Sequence, residues 1–171
     1  MTSQFLHVAI EASRKAGKIL LELFNKELKV SFKTDHSIVT EADLKAESII
    51  INLVKDNFPR HSILSEESGK ESQDSDYLWI IDPLDGSTNF FVRNPFFAVS
   101  IGLLHKHKPI LGVVYAPIQD ELFVAENNKG AYVNDKIITV DETATLEKSF
   151  LAFFNGRDLD SRKQMVRIYK E

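Results

Sequence analysis

Asp82 and Asp85 stand three positions apart across a proline-containing turn in the string W-I-I-D-P-L-D-G-S-T-N-F, residues 79–90. A turn of that length can bring both side chains to one side of the chain, where they offer hard oxygen ligands suited to Mg²⁺. Gly86, Ser87, Thr88 and Asn89 follow, the composition of a turn that opens a helix. The first backbone N–H groups of a helix have no acceptor within it and can receive phosphate oxygens. One loop of this kind can hold a divalent cation against a phosphate ester. Asp-Pro and Asp-Gly also occur in turns with no chemical role, so the specificity lies in the whole string.

Two more groups of acids lie upstream. In Leu64-Ser65-Glu66-Glu67-Ser68 an apolar segment ends in adjacent carboxylates, a pattern equally compatible with a solvated loop. In Val39-Thr40-Glu41-Ala42-Asp43, Thr40 has the spacing to cap a helix and Asp43 to complete a capping box. A capping role for Asp43 does not exclude a role in a site, since a helix start attracts negative charge.

The elements that must position these residues follow from periodicity. Phe5, Val8, Ala9, Ala12, Ala16, Ile19, Leu20, Leu23 and Phe24 form the apolar stripe of a long first helix. Leu28, Val30 and Phe32 alternate as a short strand would. A second helix is expected from Thr40, burying Leu44, Ile49, Ile50, Leu53 and Val54 and stopped by Pro59. Leu78–Ile81 reads as a buried strand that Pro83 interrupts. Phe96–Leu104 and Ile110–Tyr115 read as strands joined by a turn over His105–Pro109. Short strands follow at Leu122–Ala125, Ala131–Val133 and Ile137–Val140, divided by turns at Asn127-Asn128 and Asn134-Asp135. Ser149–Phe154 reads as another strand and Ser161–Tyr169 as the start of a helix. Two helices before a run of antiparallel strands make an α+β fold. The expected division is a first domain over 1–145 and the start of a second over 146–171.

Composition narrows the function. At 171 residues, 43% hydrophobic and 27% charged, the chain can bury a core without staples. A net charge of −4 and a pI near 5.8 argue against nucleic acid as a partner. The absence of cysteine removes disulfides and thiolate metal sites. Residues 1–12 scatter Gln4, His7 and Glu11 among apolar positions, unlike a signal peptide or membrane span, so a cytoplasmic protein without membrane contact is expected. His105 and His107 fall beside lysines and read as a solvated turn before a transition-metal pair. Lys33 reads as a surface residue before a phosphate contact, and Phe90, Phe91, Phe96 and Phe97 as packing aromatics.

The D-P-L-D-G-S-T-N-F string closely resembles the signature of the inositol monophosphatase family of Mg²⁺-dependent, lithium-sensitive phosphatases. The flanking segments Phe97–Gly102, Gly112–Tyr115 and Gly130–Tyr132 agree with it. The resemblance implies a layered αβαβα sandwich, of which this chain supplies the N-terminal αβ half: two long helices packed on an antiparallel sheet. It further implies a phosphomonoesterase that hydrolyses inositol monophosphate or a related small phosphate ester with metal-activated water. Glu66, Asp82, Asp85 and the Leu84 carbonyl become the Mg²⁺ ligands. Glu66, Ser87 and Asp43 become the catalytic groups, and Asp85, Gly86 and Ser87 the phosphate-binding ones. Ser87 stands where the family usually has threonine; it keeps the hydroxyl but lacks the methyl that restricts it. The family's W-D-x-A-A-G motif, whose aspartate completes the metal site, does not occur in this sequence. The implied partners are therefore a small phosphorylated substrate and either a second copy or a complementing C-terminal half. A non-catalytic remnant that binds metal or protein is the alternative.

Overall fold

The computed structural model describes residues 3–27, 30–32 and 38–149. The chain divides into two compact units, 1–138 and 139–171. In the second, the described residues hold a single 3₁₀ turn, Leu146–Lys148. The first unit carries the site, and the rest of this section concerns it.

Helix α1 runs Gln4–Leu23 and begins where the Ser3 hydroxyl accepts the Leu6 N–H at 3.2 Å. Its buried stripe of Leu6, Ala9, Ala12, Ala16, Leu20 and Leu23 is rich in alanine. Small side chains on that stripe allow close approach by α2 (Glu41–Asn57), which answers with Ala42 and Ala46. Gly17 serves the same end on the sheet side: a Cβ there would lie 2.5 Å from the Tyr115 ring. Proline at 59 ends α2 as expected, with Phe58 as its C-cap. Fully burying one leucine such as Leu20 contributes roughly 2 kcal/mol, and the two-helix seam is built from such terms.

The buried face of α2 differs from expectation. Ile50 and Val54 face inward, but Leu44 is 54% exposed and Ile49 and Leu53 are half-buried. Their places are taken by Ala42, Asp43, Ala46 and Glu47, two small residues and two acids. Polar partners across the interface decided the face, overriding leucine's apolar preference.

Strands β1 (Val30–Phe32) and β2 (Ile38–Thr40) form a small antiparallel pair leading into α2. Leu28, Lys33 and the segments 150–154 and 161–169 lie outside the described residues. Among the described residues the main sheet holds eight strands: β3 (Ser62–Ser65), β4 (Gly69–Glu71), β5 (Tyr77–Asp85), β6 (Ala98–His105), β7 (Lys108–Ala116), β8 (Glu121–Glu126), β9 (Gly130–Val133) and β10 (Lys136–Ile138). Their spatial order is β10-β9-β8-β7-β6-β5-β3-β4. Every pairing is antiparallel except β3 with β5, which run parallel. The result is the α+β architecture expected, with one parallel step that periodicity alone does not reveal.

Burial alternates along the central strands. Trp79, Ile81, Val99, Ile101, Leu103, Leu111 and Val113 point into the core under α1 and α2. Leu64, Ile80 and Val114, at 37%, 39% and 38% exposure, lie on other positions of the alternation. Two details of the loops differ from expectation. The β6–β7 connection is a two-residue turn of Lys106 and His107, both at positive φ, so Lys108 and Pro109 already belong to β7. His105 closes β6 and stacks on Tyr77, with ring centroids 4.5 Å apart. Among the four phenylalanines, Phe90 and Phe97 are core, whereas Phe91 and Phe96 are exposed. The final strand ends at Ile138, and Val140 is solvent-facing.

Candidate active site

The site gathers where α2, the end of β3 and the end of β5 meet. Strand β5 continues through Pro83 to Asp85, beyond the break expected at the proline. The interruption appears instead in the pairing: Asp82 faces Ser100 and Asp85 faces Ala98, so β5 carries one residue more than β6 across this interval. A bulge of this kind re-aims side chains. Proline tolerates it because its missing N–H falls where the ladder is already broken. The Leu84 N–H turns to Asp82 Oδ1 at 3.2 Å, and Gly86 follows with φ of 90°. A Cβ at Gly86 would meet the Phe96 carbonyl at 3.0 Å, so the left-handed turn into α3 (Ser87–Phe91) requires glycine.

The parallel pairing brings Glu66 to this turn. Ser65 is in register with Ile81, and the Glu66 N–H donates to the Ile81 carbonyl at 3.1 Å. Glu66 therefore emerges beside Asp82, close enough for its carboxyl group to act on that of Asp82. Burial pushes the Asp82 carboxyl up from its ordinary 3.8 to about 7, with further contributions from the charge and hydrogen bond of Glu66 and the charge of Asp85. Only the Leu84 N–H opposes that shift. A cavity of about 700 Å³ opens here, lined by Leu64, Glu66, Ile80, Asp82, Ser100 and Gly102 among others.

Asp43 reaches the same place from α2, and it is 1% exposed. Its Oδ2 receives the Thr40 N–H at 2.8 Å and the Thr40 hydroxyl at 2.6 Å, completing the capping box that the spacing implied. Its Oδ1 lies 2.8 Å from the Ser87 hydroxyl, which is also 3.0 Å from the Leu84 carbonyl. A hydroxyl has one proton, so Ser87 donates to one of these acceptors at a time. Asp43 is thus both a capping residue and a neighbour of the turn.

Glu47, one helical turn beyond Asp43 and 6% exposed, has no counterpart among the residues singled out from the sequence. Its Oε1 receives the N–H groups of Glu67 at 3.2 Å and Ser68 at 3.0 Å, and the Ser68 hydroxyl at 3.2 Å. An acid four positions after Asp43, each of the two preceded by an alanine, was the available signal for a polar inward face.

The residues assigned to the site from the sequence fall in one region: Glu66 and Asp85 within electrostatic reach of Asp82, and Asp43, Leu84, Gly86 and Ser87 linked through the turn. The donor chemistry suits Mg²⁺, being carboxylate and carbonyl oxygen throughout. Among the described residues no three His, Cys, Asp or Glu side chains are grouped so as to hold a metal ion by themselves. His105 and His107 contribute to no such set either. No helix among the described residues is long and apolar enough to cross a membrane.

Comparison with known proteins bears on this geometry. The model of the inositol monophosphatase family matches residues 1–170. An inositol monophosphatase 3 from Solanum lycopersicum is 45% identical over 161 residues, covering 92% of this chain and 60% of that protein. An inositol-1-monophosphatase from Synechocystis is 45% identical over 169 residues, covering 98% of this chain and 58% of its own. The crystal structure of extragenic suppressor protein suhB from Bartonella henselae superposes with a TM-score of 0.80 at 42% identity, over 82% of this chain and 56% of that one. The chain thus spans a little over half the length of the relatives it matches. The αβ portion described above corresponds to the N-terminal part of that fold.

Proposed function

The chain belongs to the inositol monophosphatase family, and from that premise we propose that it is the Mg²⁺-dependent catalytic half of a phosphomonoesterase acting on inositol monophosphate or a similarly small phosphate ester. One observation carries the reading: the Ser87 hydroxyl bridges Asp43 on α2 and the Leu84 carbonyl in the Asp82–Asp85 turn, beside the paired Glu66 and Asp82. A turn needed only for folding has no reason to collect three carboxyl groups and an oriented hydroxyl.

Glu66, Asp82, Asp85 and the Leu84 carbonyl would hold Mg²⁺, the Leu84 carbonyl being free for this when Ser87 donates to Asp43. When bound, the cation supplies positive charge to the phosphate oxygens and eases deprotonation of water. The rest is done by the chain itself. Asp43 takes the Ser87 proton in a hydrogen bond, leaving the Ser87 oxygen free to accept one from the attacking water. Glu66, beside Asp82, would receive a proton from that water. The water oxygen bonds to phosphorus as the ester oxygen departs, and the released alcohol takes up a proton. Backbone N–H groups of Gly86 and Ser87 receive phosphate oxygens. Serine in place of the family's usual threonine keeps this geometry, because Asp43 supplies the restraint that the methyl would have added.

A cytoplasmic setting fits this reading, as does completion of the site by a second copy or by a C-terminal half. The apolar side chains of Leu64 and Ile80, exposed beside the carboxylates, favour such completion. The same exposure supports a second reading, a non-catalytic half that binds metal or protein. Phosphate release from inositol 1-phosphate by the purified chain, with and without Mg²⁺ and beside Asp85→Asn, separates the two. Turnover that needs Mg²⁺ and disappears in Asp85→Asn is expected of the enzyme. A folded chain that binds Mg²⁺ without releasing phosphate is expected of the half alone.

A further inference from the structure

Helix α2 offers two buried carboxylates, Asp43 and Glu47, one turn apart on the same face. Each grips a different loop. Asp43 holds Ser87 at the start of α3, and Glu47 holds the backbone of Glu67 and Ser68, immediately after Glu66. From this juxtaposition we propose that Glu47 is a positioning residue: it fixes the 66–68 loop to the same rigid helix that fixes Ser87, and so sets the distance between Glu66 and the Ser87 turn.

The chemistry supports a clamp more than a packing contact. A carboxylate inside a protein is costly unless its oxygens are hydrogen-bonded. Glu47 meets that requirement with three donors on a single oxygen, and two of them are backbone N–H groups. Bonds from N–H or O–H to an ionised acceptor are about twice as strong as neutral ones. Because they act on the main chain, they hold the loop whatever the side chains of Glu67 and Ser68 do. On the other side of Glu66, its own N–H is tied to the Ile81 carbonyl. Residue 66 is therefore secured before and after, by the sheet and by α2. An apolar side chain at 47 would leave both amides without that acceptor. An active site needs its groups held to about half an ångström, and such supporting bonds are what supply it.

The role of Glu66 in this proposal rests on the phosphatase reading, so the test is chosen to separate the two. In the full chain, Glu47→Ala and Glu47→Gln are compared by amide hydrogen exchange at Glu67 and Ser68 and by calorimetric titration with Mg²⁺. Glu47→Ala is expected to speed exchange at those two amides by about tenfold or more while the amides of Thr40 and Ala42 keep their protection, and to weaken Mg²⁺ binding by about 10–100-fold. Glu47→Gln retains the accepting oxygen and is expected to recover most of both. Ser68→Ala, which removes one donor and leaves the backbone bonds, is expected to change either quantity by less than about threefold. Unchanged exchange at Glu67 and Ser68 in Glu47→Ala overturns the proposal. So does loosening spread evenly along α2, or a Glu47→Gln variant as loose as Glu47→Ala. Localised loosening in a chain that binds no Mg²⁺ upholds the clamp and instead contradicts the phosphatase reading.

Discussion

Asp43 and Asp82 are both inward-facing aspartates at the same site, and the protein treats them in opposite ways. Each oxygen of Asp43 has its own donor: Thr40 on one side, Ser87 on the other. Asp82 is partly buried against two other acids, and nothing but the Leu84 N–H favours its charge. The first carboxylate is complete within the protein and acts by holding something still. The second holds its proton up to about pH 7, and positive charge arriving from outside would favour its charged form. A cation site and its supporting frame can be told apart in this way, by asking which carboxylates the protein has already satisfied.

The largest expected effect breaks the link between the two. Ser87→Ala removes the hydroxyl through which Asp43 reaches the turn, and is expected to lower Mg²⁺-dependent phosphate release by about 100-fold, the scale for loss of a group that handles the water's protons. Ser87→Thr is expected to retain the activity, since it keeps the hydroxyl and adds only a methyl. Equal activity in Ser87→Ala and the parent chain would show that Asp43 only caps its helix.

A stability measurement sharpens the contrast next. Asp43→Ala deprives the Thr40 N–H, the Thr40 hydroxyl and the Ser87 hydroxyl of their acceptor. It is expected to cost about 2 kcal/mol in urea unfolding, a lost cap plus an unsatisfied buried donor. Asp82→Asn removes a charge that the protein does not satisfy, and is expected to leave Mg²⁺-free stability unchanged or raised. The reverse order would mean that the two acids have been assigned the wrong way round.

The smallest effect lies at the opposite end of β5. The Trp79 indole N–H donates to His61 Nδ1 at 3.1 Å, so His61 must be neutral there. Burial, and after it the charge of Arg60, hold His61 below its ordinary 6.5. A lowered folded value means that the unfolded chain takes up the proton first. The contribution of His61 is then fully present above about pH 6.5 and is lost as pH falls through its lower folded value. Unfolding midpoints followed by the fluorescence of Trp79 are expected to fall modestly over that range. His61→Asn keeps an acceptor for the indole without titrating, and should flatten the curve.

How much of this was legible in the sequence depends on how local each feature is. The capping box at Thr40 and Asp43, the stop at Pro59 and the glycine turn at Gly86 are set by neighbours within a few residues, and spacing reveals them. The family signature added the identity of the remaining acids. The meeting of Glu66 with Asp82 was not legible from periodicity, because it depends on β3 lying parallel to β5, a pairing between segments about fifteen residues apart. Leu44 misled for a related reason: an apolar residue on a helix is assigned inward by habit, while Asp43 and Glu47 earned that face through partners on other elements. Phe91 and Phe96 were misplaced likewise, their positions fixed by the short α3 and the loop after it.

The most direct test of the central claim is calorimetric titration of the chain with Mg²⁺ at pH 6 in two buffers of different ionisation enthalpy, for the parent and for Asp82→Asn. Burial and Glu66 keep a proton on Asp82 up to about pH 7, and a cation that takes the carboxylate must displace it. The expected result is Mg²⁺ binding accompanied by release of close to one proton in the parent, with binding and release both lost in Asp82→Asn. Mg²⁺ binding of equal strength in the two proteins, with no proton released, would contradict the assignment of this carboxylate cluster as the cation site.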